Sequence, residues 1–224
     1  MKTVLVTGAS AGFGEAICRR LIADGYQVIG AARRADKLTA LQAELGARFF
    51  AVVMDVTDQA SIDQAFQTIF GRFPTLDILV NNAGLALVTH QVLPRMVAAN
   101  SGLIINIGSV AGTVPYPGGN VYGATKAFVK QFSLNLRADL AGSKVRVSNI
   151  EPGLCSGTDF SLVRLDGNAE AVAALYQDVE AIRPEDIANT VAWISQLPEH
   201  MNINSIEIMP VAQSYAALNV TRNL

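Results

Sequence analysis

Tyr122 and Lys126 stand four residues apart in the run Tyr122-Gly123-Ala124-Thr125-Lys126. At that spacing two side chains share one face of a helix. A free phenol, with a pKa near ~10, is too weakly acidic to work as a base at neutral pH. A lysine cation beside it favours the phenolate and brings its proton transfer toward the working range. Thirteen positions before Tyr122, Ser109 closes the apolar run Ile104-Ile105-Asn106-Ile107-Gly108-Ser109. A hydroxyl at the carboxyl end of a central strand points into the ligand crevice of a doubly wound fold, where it can hold a carbonyl oxygen. Taken alone, a tyrosine–lysine pair is a weak signal, because such pairs arise by chance on helix surfaces.

A second group of residues suits a dinucleotide. The first apolar run leads directly into Thr7-Gly8-Ala9-Ser10-Ala11-Gly12-Phe13-Gly14, which opens a helix. Glycines there allow a tight turn and bring backbone amides against a pyrophosphate at the helix N-terminus. About 20 residues on, folds that prefer NAD carry an acidic residue for the ribose 2′-hydroxyl. Here the chain reads Gly30-Ala31-Ala32-Arg33-Arg34. Two guanidiniums and no carboxylate fit a 2′-phosphate, so NADP is the expected cofactor, with Ser10 adding a hydroxyl. The plainer alternative makes Arg33 and Arg34 solvated charges at a helix start. Asp55 has two readings of equal weight, a contact at the adenine edge and an Asx turn before Thr57.

These residues need elements to position them. Strand-like runs fall at Thr3–Val6, Gln27–Ala31, Phe49–Met54, Ile78–Asn81, Leu103–Ile107, Arg146–Ile150 and Ser205–Ile208. Several are almost wholly apolar, as strands covered on both faces are. Helical patterns lie between them: Ala16–Ala23, Asp36–Leu45, Thr57 to about Phe70, Thr89–Ala99, Asn120–Leu140 and Pro184–Gln196. Gly25, Gly46, Gly71 and Gly142 read as stops. Such alternation predicts an α/β fold of Rossmann type: a doubly wound, mainly parallel seven-stranded sheet with helices on both faces. No linker divides the chain, so 1–224 reads as a single catalytic domain with a rather apolar tail at 211–224.

Composition excludes several classes. The chain has 224 residues, 17 Lys+Arg against 19 Asp+Glu, and is half apolar. A net charge of −2 argues against an electrostatic nucleic-acid binder. Cys18 and Cys155 are far apart, and His90 and His200 are the only histidines, so no metal site is expected. The charge-free stretch from Met96 to Thr125 is broken by prolines, asparagines and glycines, which rules out a membrane helix. The expectation is a soluble, cytoplasmic protein with a small-molecule substrate.

The motifs gain force in company. Thr7–Gly14, Asn81-Asn82-Ala83-Gly84, Ser109, Tyr122, Lys126 and Pro152-Gly153 occur in order at predicted strand ends. This set resembles the short-chain dehydrogenase/reductase family over nearly the whole chain. The resemblance implies that Tyr122 is the general acid/base and that Ser109 orients the carbonyl or hydroxyl. It implies that Lys126 binds the nicotinamide ribose and tunes Tyr122. Asn82, Ala83 and Gly84 would meet the cofactor, as would Val56 beside Asp55, while Pro152, Gly153 and the residues to Thr158 would line the nicotinamide.

A closer likeness, in Gly12-Phe13-Gly14-Glu15, Ile150-Glu151-Pro152-Gly153-Leu154, Gly118–Lys126 and Met209-Pro210-Val211, is to NADP-dependent 3-hydroxy acid dehydrogenases, also known as serine or L-allo-threonine dehydrogenases. It implies reversible hydride transfer between NADP and the 3-hydroxyl of short 3-hydroxy acids of the serine, allo-threonine or 3-hydroxypropionate type, in a homotetramer. Such a substrate needs a partner for its carboxylate, and Arg164 is the candidate, with Tyr116 and Asn120 as weaker pocket residues. A short-chain carbonyl or 3-oxoacyl reductase is the alternative enzyme. A non-catalytic NADP-binding sensor is the alternative of another class.

One stretch departs from the family. Between Gly84 and Ser109 the resemblance implies about 25 further residues, and a parallel crossover seldom tolerates losing half its helix. Those residues carry a catalytic asparagine in the family, and nothing in Leu85–Ser101 maps onto it. Either the protein has lost that stretch or, the favoured reading, the join near 87–88, at Leu87-Val88, marks the omission of a mobile loop.

Overall fold

The computed structural model describes residues 1–215. Seven strands alternate with helices. They are β1 (Thr3–Thr7), β2 (Gln27–Ala32), β3 (Phe49–Val53), β4 (Ile78–Asn81), β5 (Gly102–Ile107), β6 (Val145–Pro152) and β7 (Ser205–Ile208). Their order across the sheet is β3-β2-β1-β4-β5-β6-β7, and every neighbouring pair is parallel. The winding reverses between β1 and β4. Ligand crevices of open parallel sheets form outside the carboxyl ends of strands at such a reversal.

The sheet has an apolar layer on each face. On one face α1 (Gly12–Ala23) and α8 (Pro184–Gln196) bury Ile17, Leu21, Ile187 and Val191. On the other, α3 (Gln59–Arg72), α4 (Leu85–Ala99) and α5 (Asn120–Asp139) bury Phe66, Ile69, Val88, Val92 and Leu136. The helix α2 (Ala35–Leu45) adds Leu38 and Leu41 to the first layer. Strands covered on both faces explain why the runs are nearly continuous in apolar residues. Among the described residues no helix is long and apolar enough to cross a membrane.

Element boundaries differ from the sequence reading at points where tertiary contacts decide. β6 is three residues longer than read, because Val145, Glu151 and Pro152 are drawn into the fully buried strand. The helix α3 continues through Gly71 to Arg72, with Phe73 N–H closing on Ile69 O at 2.7 Å. α4 begins at Leu85, four residues before the expected start, and runs unbroken across Leu87–Val88, where Val88 N–H donates to Gly84 O at 3.1 Å. Two helices lie in a region read as loop, α6 (Phe160–Arg164) and α7 (Ala169–Tyr176). Asn168 caps α7 by accepting from Ala171 N–H at 3.0 Å. That Asn-cap followed by an alanine-rich run was a legible signal for a helix start. In the tail, 211–215 turns back toward the sheet, while 216–224 lies outside the described residues.

A buried polar chain ties the central elements together. Asn81 Nδ2, at the end of β4, donates to Thr89 Oγ1 on α4 and Asn106 Oδ1 on β5, both at 2.9 Å. Asn106 Nδ2 in turn donates to Ser133 Oγ on α5 at 2.8 Å. Asn106 is wholly buried. An apolar replacement would leave the Asn81 amide and the Ser133 hydroxyl without that partner in a dry layer, where polar groups are expensive to strand. Asn106→Leu should therefore lower the unfolding free energy by about 2–4 kcal/mol, read from urea denaturation.

Candidate active site

The glycine-rich turn joins β1 to α1 and is pinned to the end of β4. Thr7 Oγ1 donates to Ala83 O at 2.6 Å and accepts from Ala83 N–H at 2.9 Å. Asn82 Nδ2 donates to Gly8 O at 3.4 Å. A Cβ on Gly14 would lie 2.2 Å from the Gly8 carbonyl oxygen, so helix and turn touch backbone to backbone. The first turn of α1 has no side-chain cap, and Gly12 and Phe13 of that turn line the same opening. That combination suits a phosphate.

The mouth beside this turn is basic. Arg34 Nε donates to Ser10 Oγ at 3.1 Å, and its terminal nitrogen donates to Ser10 O at 3.3 Å. Arg33 is exposed next to it and lowers the Asp55 pKa through its charge. The larger cause at Asp55 is local: its carboxylate accepts from Thr57 N–H at 2.9 Å and Thr57 Oγ1 at 2.8 Å. The Asx turn is thus formed, and Asp55 also lines the opening.

Farther along the strand ends, Ser109 leads into a 3-10 turn at Val110–Gly112. This turn rests directly on α5. A Cβ on Gly112 would meet the Lys126 backbone at 2.7 Å, and one on Gly123 would lie 3.0 Å from Ala111 O. Ser109 Oγ accepts from Ala111 N–H at 3.1 Å and donates to Pro152 O at 3.3 Å. Lys126 Nζ donates to Ile107 O at 2.9 Å and lies 5.7 Å from the centre of the Tyr122 ring. Ser109, Tyr122 and Lys126 thus share one wall.

The electrostatics of this wall differ from the sequence reading. Burial pushes the Tyr122 phenol up, opposed by a hydrogen bond from Ser109 and by the charge of Arg164. Burial also brings the Lys126 ammonium down to about 8. Desolvation is therefore the dominant influence on both groups here. Nearby, burial pushes the Cys155 thiol up to about 12, so it is no nucleophile at neutral pH. His90 is exposed on α4, away from this wall.

The two halves form one cleft of about 920 Å³ across the carboxyl ends of the sheet. Gly8, Ser10, Gly12, Phe13, Arg33, Arg34, Asp55, Val56, Asn82 and Ala83 line one part. Ser109, Tyr122, Lys126, Pro152, Gly153, Thr158 and Arg164 line the other. Of the expected dinucleotide residues, Thr7, Ala9, Gly14 and Gly84 are not in the lining. Thr7 and Ala9 are fully buried, and Gly84 holds the start of α4 at a positive φ of 70°. They shape the wall from behind. Among the described residues no cluster of ligating side chains could hold a metal.

Some lining residues were not singled out from the sequence. Phe160, on α6, has its ring centre 5.2 Å from that of Tyr122. Gln213 Oε1 accepts from Leu154 N–H at 2.7 Å and brings the tail against Gly153. Tyr176 donates to Cys155 O at 2.6 Å and meets Ser161 Oγ at 2.5 Å, which ties α7 to α6 beneath the cleft edge. Arg164, at the end of α6, lies 4.9 Å above the Tyr116 ring. Asn120, expected as a weaker pocket residue, is at the start of α5 and not in this lining.

Comparison with known proteins agrees with this arrangement. A family model described as short chain dehydrogenase matches residues 2–89 and 85–169, two stretches that meet in the first turn of α4. A probable NADP-dependent dehydrogenase of Haemophilus influenzae is 52% identical over 246 positions, covering 98% of each chain. Those 246 positions against 224 residues leave at least 22 in the alignment with no counterpart in this chain. The NADP-dependent 3-hydroxy acid dehydrogenase YdfG of Escherichia coli K12 is 50% identical, covering 98% of this chain and 99% of the relative. Among solved structures, the closed form of a serine dehydrogenase complexed with NADP+ superposes with a TM-score of 0.96 at 48% identity, covering 99% of this chain and 100% of the other.

The depressed Lys126 pKa has a measurable consequence for stability. The folded value lies below the ordinary lysine value of 10.5, so folding is penalised wherever the free lysine is charged. The penalty is complete below about pH 8 and fades as pH rises toward 10.5. Lys126→Met should raise the unfolding free energy at pH 7 by about 1–3 kcal/mol while removing turnover. That gain should disappear near pH 11 in the same denaturation series.

Proposed function

The chain belongs to the short-chain dehydrogenase family and is an NADP-dependent oxidoreductase, and from that premise we propose that its substrates are short 3-hydroxy acids and the corresponding 3-oxo acids. One observation carries the reading. Arg164 lines the same cleft as Ser109, Tyr122 and Lys126, and its charge acts on the Tyr122 phenol. Among the described residues no carboxylate forms a salt bridge with it. A guanidinium so placed binds a substrate carboxylate while the reacting oxygen meets the tyrosine.

NADP supplies the hydride acceptor or donor. Its pyrophosphate is assigned to Gly8, Gly12 and the amides of the α1 first turn. The 2′-phosphate is assigned to Ser10, Arg33 and Arg34. The remaining assignments, Phe13, Asp55, Val56, Asn82, Ala83, Pro152, Gly153 and Thr158, complete the walls around it, with Thr7, Ala9, Gly14 and Gly84 as their support.

The chain's own groups handle the proton. Ser109 donates its hydroxyl hydrogen to the substrate oxygen and holds it beside Tyr122. In the reducing direction the raised pKa keeps Tyr122 protonated, ready to donate to the developing alkoxide. In the oxidising direction Tyr122 accepts the hydroxyl proton. A charged Lys126 ammonium favours the phenolate this requires. The relatives of this type support serine and related 3-hydroxy acids as substrates, and allo-threonine and 3-hydroxypropionate belong to the same chemical class. The proposed active form is a cytoplasmic homotetramer, which light scattering on the purified protein tests by its mass.

A panel of 3-hydroxy acids and matched uncharged alcohols, assayed with NADP and with NAD, tests the substrate. Arg164→Ala should raise KM for the acids by about 10- to 100-fold and leave the uncharged alcohols within about twofold. Equal effects on both would assign the carboxylate to another residue. Tyr122→Phe should abolish turnover on every substrate while NADP binding, read by fluorescence, persists.

A further inference from the structure

Among the described residues, Glu151 is the most deeply buried carboxylate, at 1% exposure. A charge withdrawn from water needs partners at close range. Glu151 has three. Asn149 Nδ2 donates to Oε1 at 2.9 Å, and Ser205 Oγ donates to the same oxygen. Lys130 Nζ reaches Oε2 at 3.0 Å.

The position of Lys130 is informative. It lies one helical turn beyond Lys126 and two beyond Tyr122 on α5. Its ammonium also donates to Thr113 Oγ1 at 2.8 Å. Thr113 ends the 3-10 turn that Ser109 begins. Glu151, the other partner, immediately precedes Pro152, whose carbonyl accepts the Ser109 hydroxyl at 3.3 Å. One cation is therefore joined to each of the three segments that carry the reacting groups: α5, the Ser109 turn and the end of β6.

We propose that Lys130 is a positioning residue whose bonds to Glu151 and Thr113 set Ser109 against Tyr122, so that it governs the rate of the chemical step and not cofactor binding. The proposal rests on Ser109 and Tyr122 acting together on the substrate oxygen. It needs no particular substrate. A buried ion pair serving only the fold would instead affect activity in proportion to stability.

The test uses four variants assayed on whichever alcohol or carbonyl compound the unsubstituted enzyme turns over. Failure of the 3-hydroxy acid reading thus shows in the substrate panel, separately from these ratios. Lys130→Met should lose about 10- to 100-fold in kcat with the NADPH dissociation constant within about twofold. Lys130→Arg, which keeps the cation, should return kcat to within about threefold of the unsubstituted enzyme. Lys130→Met combined with Glu151→Gln leaves no stranded buried charge and should regain the unfolding midpoint without regaining kcat. Thr113→Val, at an exposed side chain, should lower kcat by about threefold with an unchanged midpoint, and it reports even where the Lys130→Met variants fail to fold. Recovery of kcat together with the midpoint in the double variant would overturn the proposal. So would an unchanged kcat in Thr113→Val, or NADPH binding that weakens in step with turnover.

Discussion

The site depends on one close approach. The turn that carries Ser109 and the helix that carries Tyr122 and Lys126 meet backbone to backbone, through Gly112 on one side and Gly123 on the other. A side chain at either position would crowd the facing backbone, and the shared action proposed for the Ser109 hydroxyl and the Tyr122 phenol has little tolerance for a shift. Everything around this contact serves to hold it. β5 delivers Ser109, the polar chain from Asn81 through Asn106 to Ser133 fixes β5 to α5, and Lys126 closes on the Ile107 carbonyl. The seven parallel strands make the convergence possible, because their carboxyl ends all emerge at one edge.

Burial then sets the chemistry. The same contact that orders the wall strips water from it, raising the phenol and lowering the ammonium. Each charged form is held at an energetic disadvantage, so small local influences decide proton positions: a hydroxyl from Ser109 and a guanidinium from Arg164. At the other end of the cleft, Arg33 and Arg34 are exposed. Charge near a cofactor phosphate can remain solvated, whereas charge near a reacting carbon is more effective when dry.

Much of this was legible in the residues. The seven strand runs stand out because a sheet covered on both faces demands unbroken apolar character. The glycine-rich turn, Ser109, Tyr122 and Lys126 stand at strand ends or on one helix face, and it is their order together along the chain, not any one spacing, that locates them. Other features were hidden for physical reasons. Glu151 and Pro152 fell outside the expected strand because a buried carboxylate looks polar until its three donors are known. Gln213 approaches Gly153 from 60 positions away, a contact that no local pattern encodes. Thr7 and Gly14 carry the marks of ligand contact, yet they act one layer back, since the residue that permits a close approach need not itself be touched.

The shortened crossover falls between the two halves of this machinery. The residues proposed to hold the phosphates lie at or before Ala83, and those proposed to act on the substrate begin at Ser109. α4 lies between them and contributes nothing to the cleft lining. Its roles are to bury Val88, Val92 and Met96 against the sheet and to receive Asn81 through Thr89. Both are met by the helix that follows Gly84 directly. The residues proposed to hold the cofactor and to move the proton thus lie outside this crossover, apart from the asparagine that the family resemblance would place within it. On the Tyr122 side of the cleft, enclosure comes from α6, with Phe160 against Tyr122 and Arg164 above Tyr116.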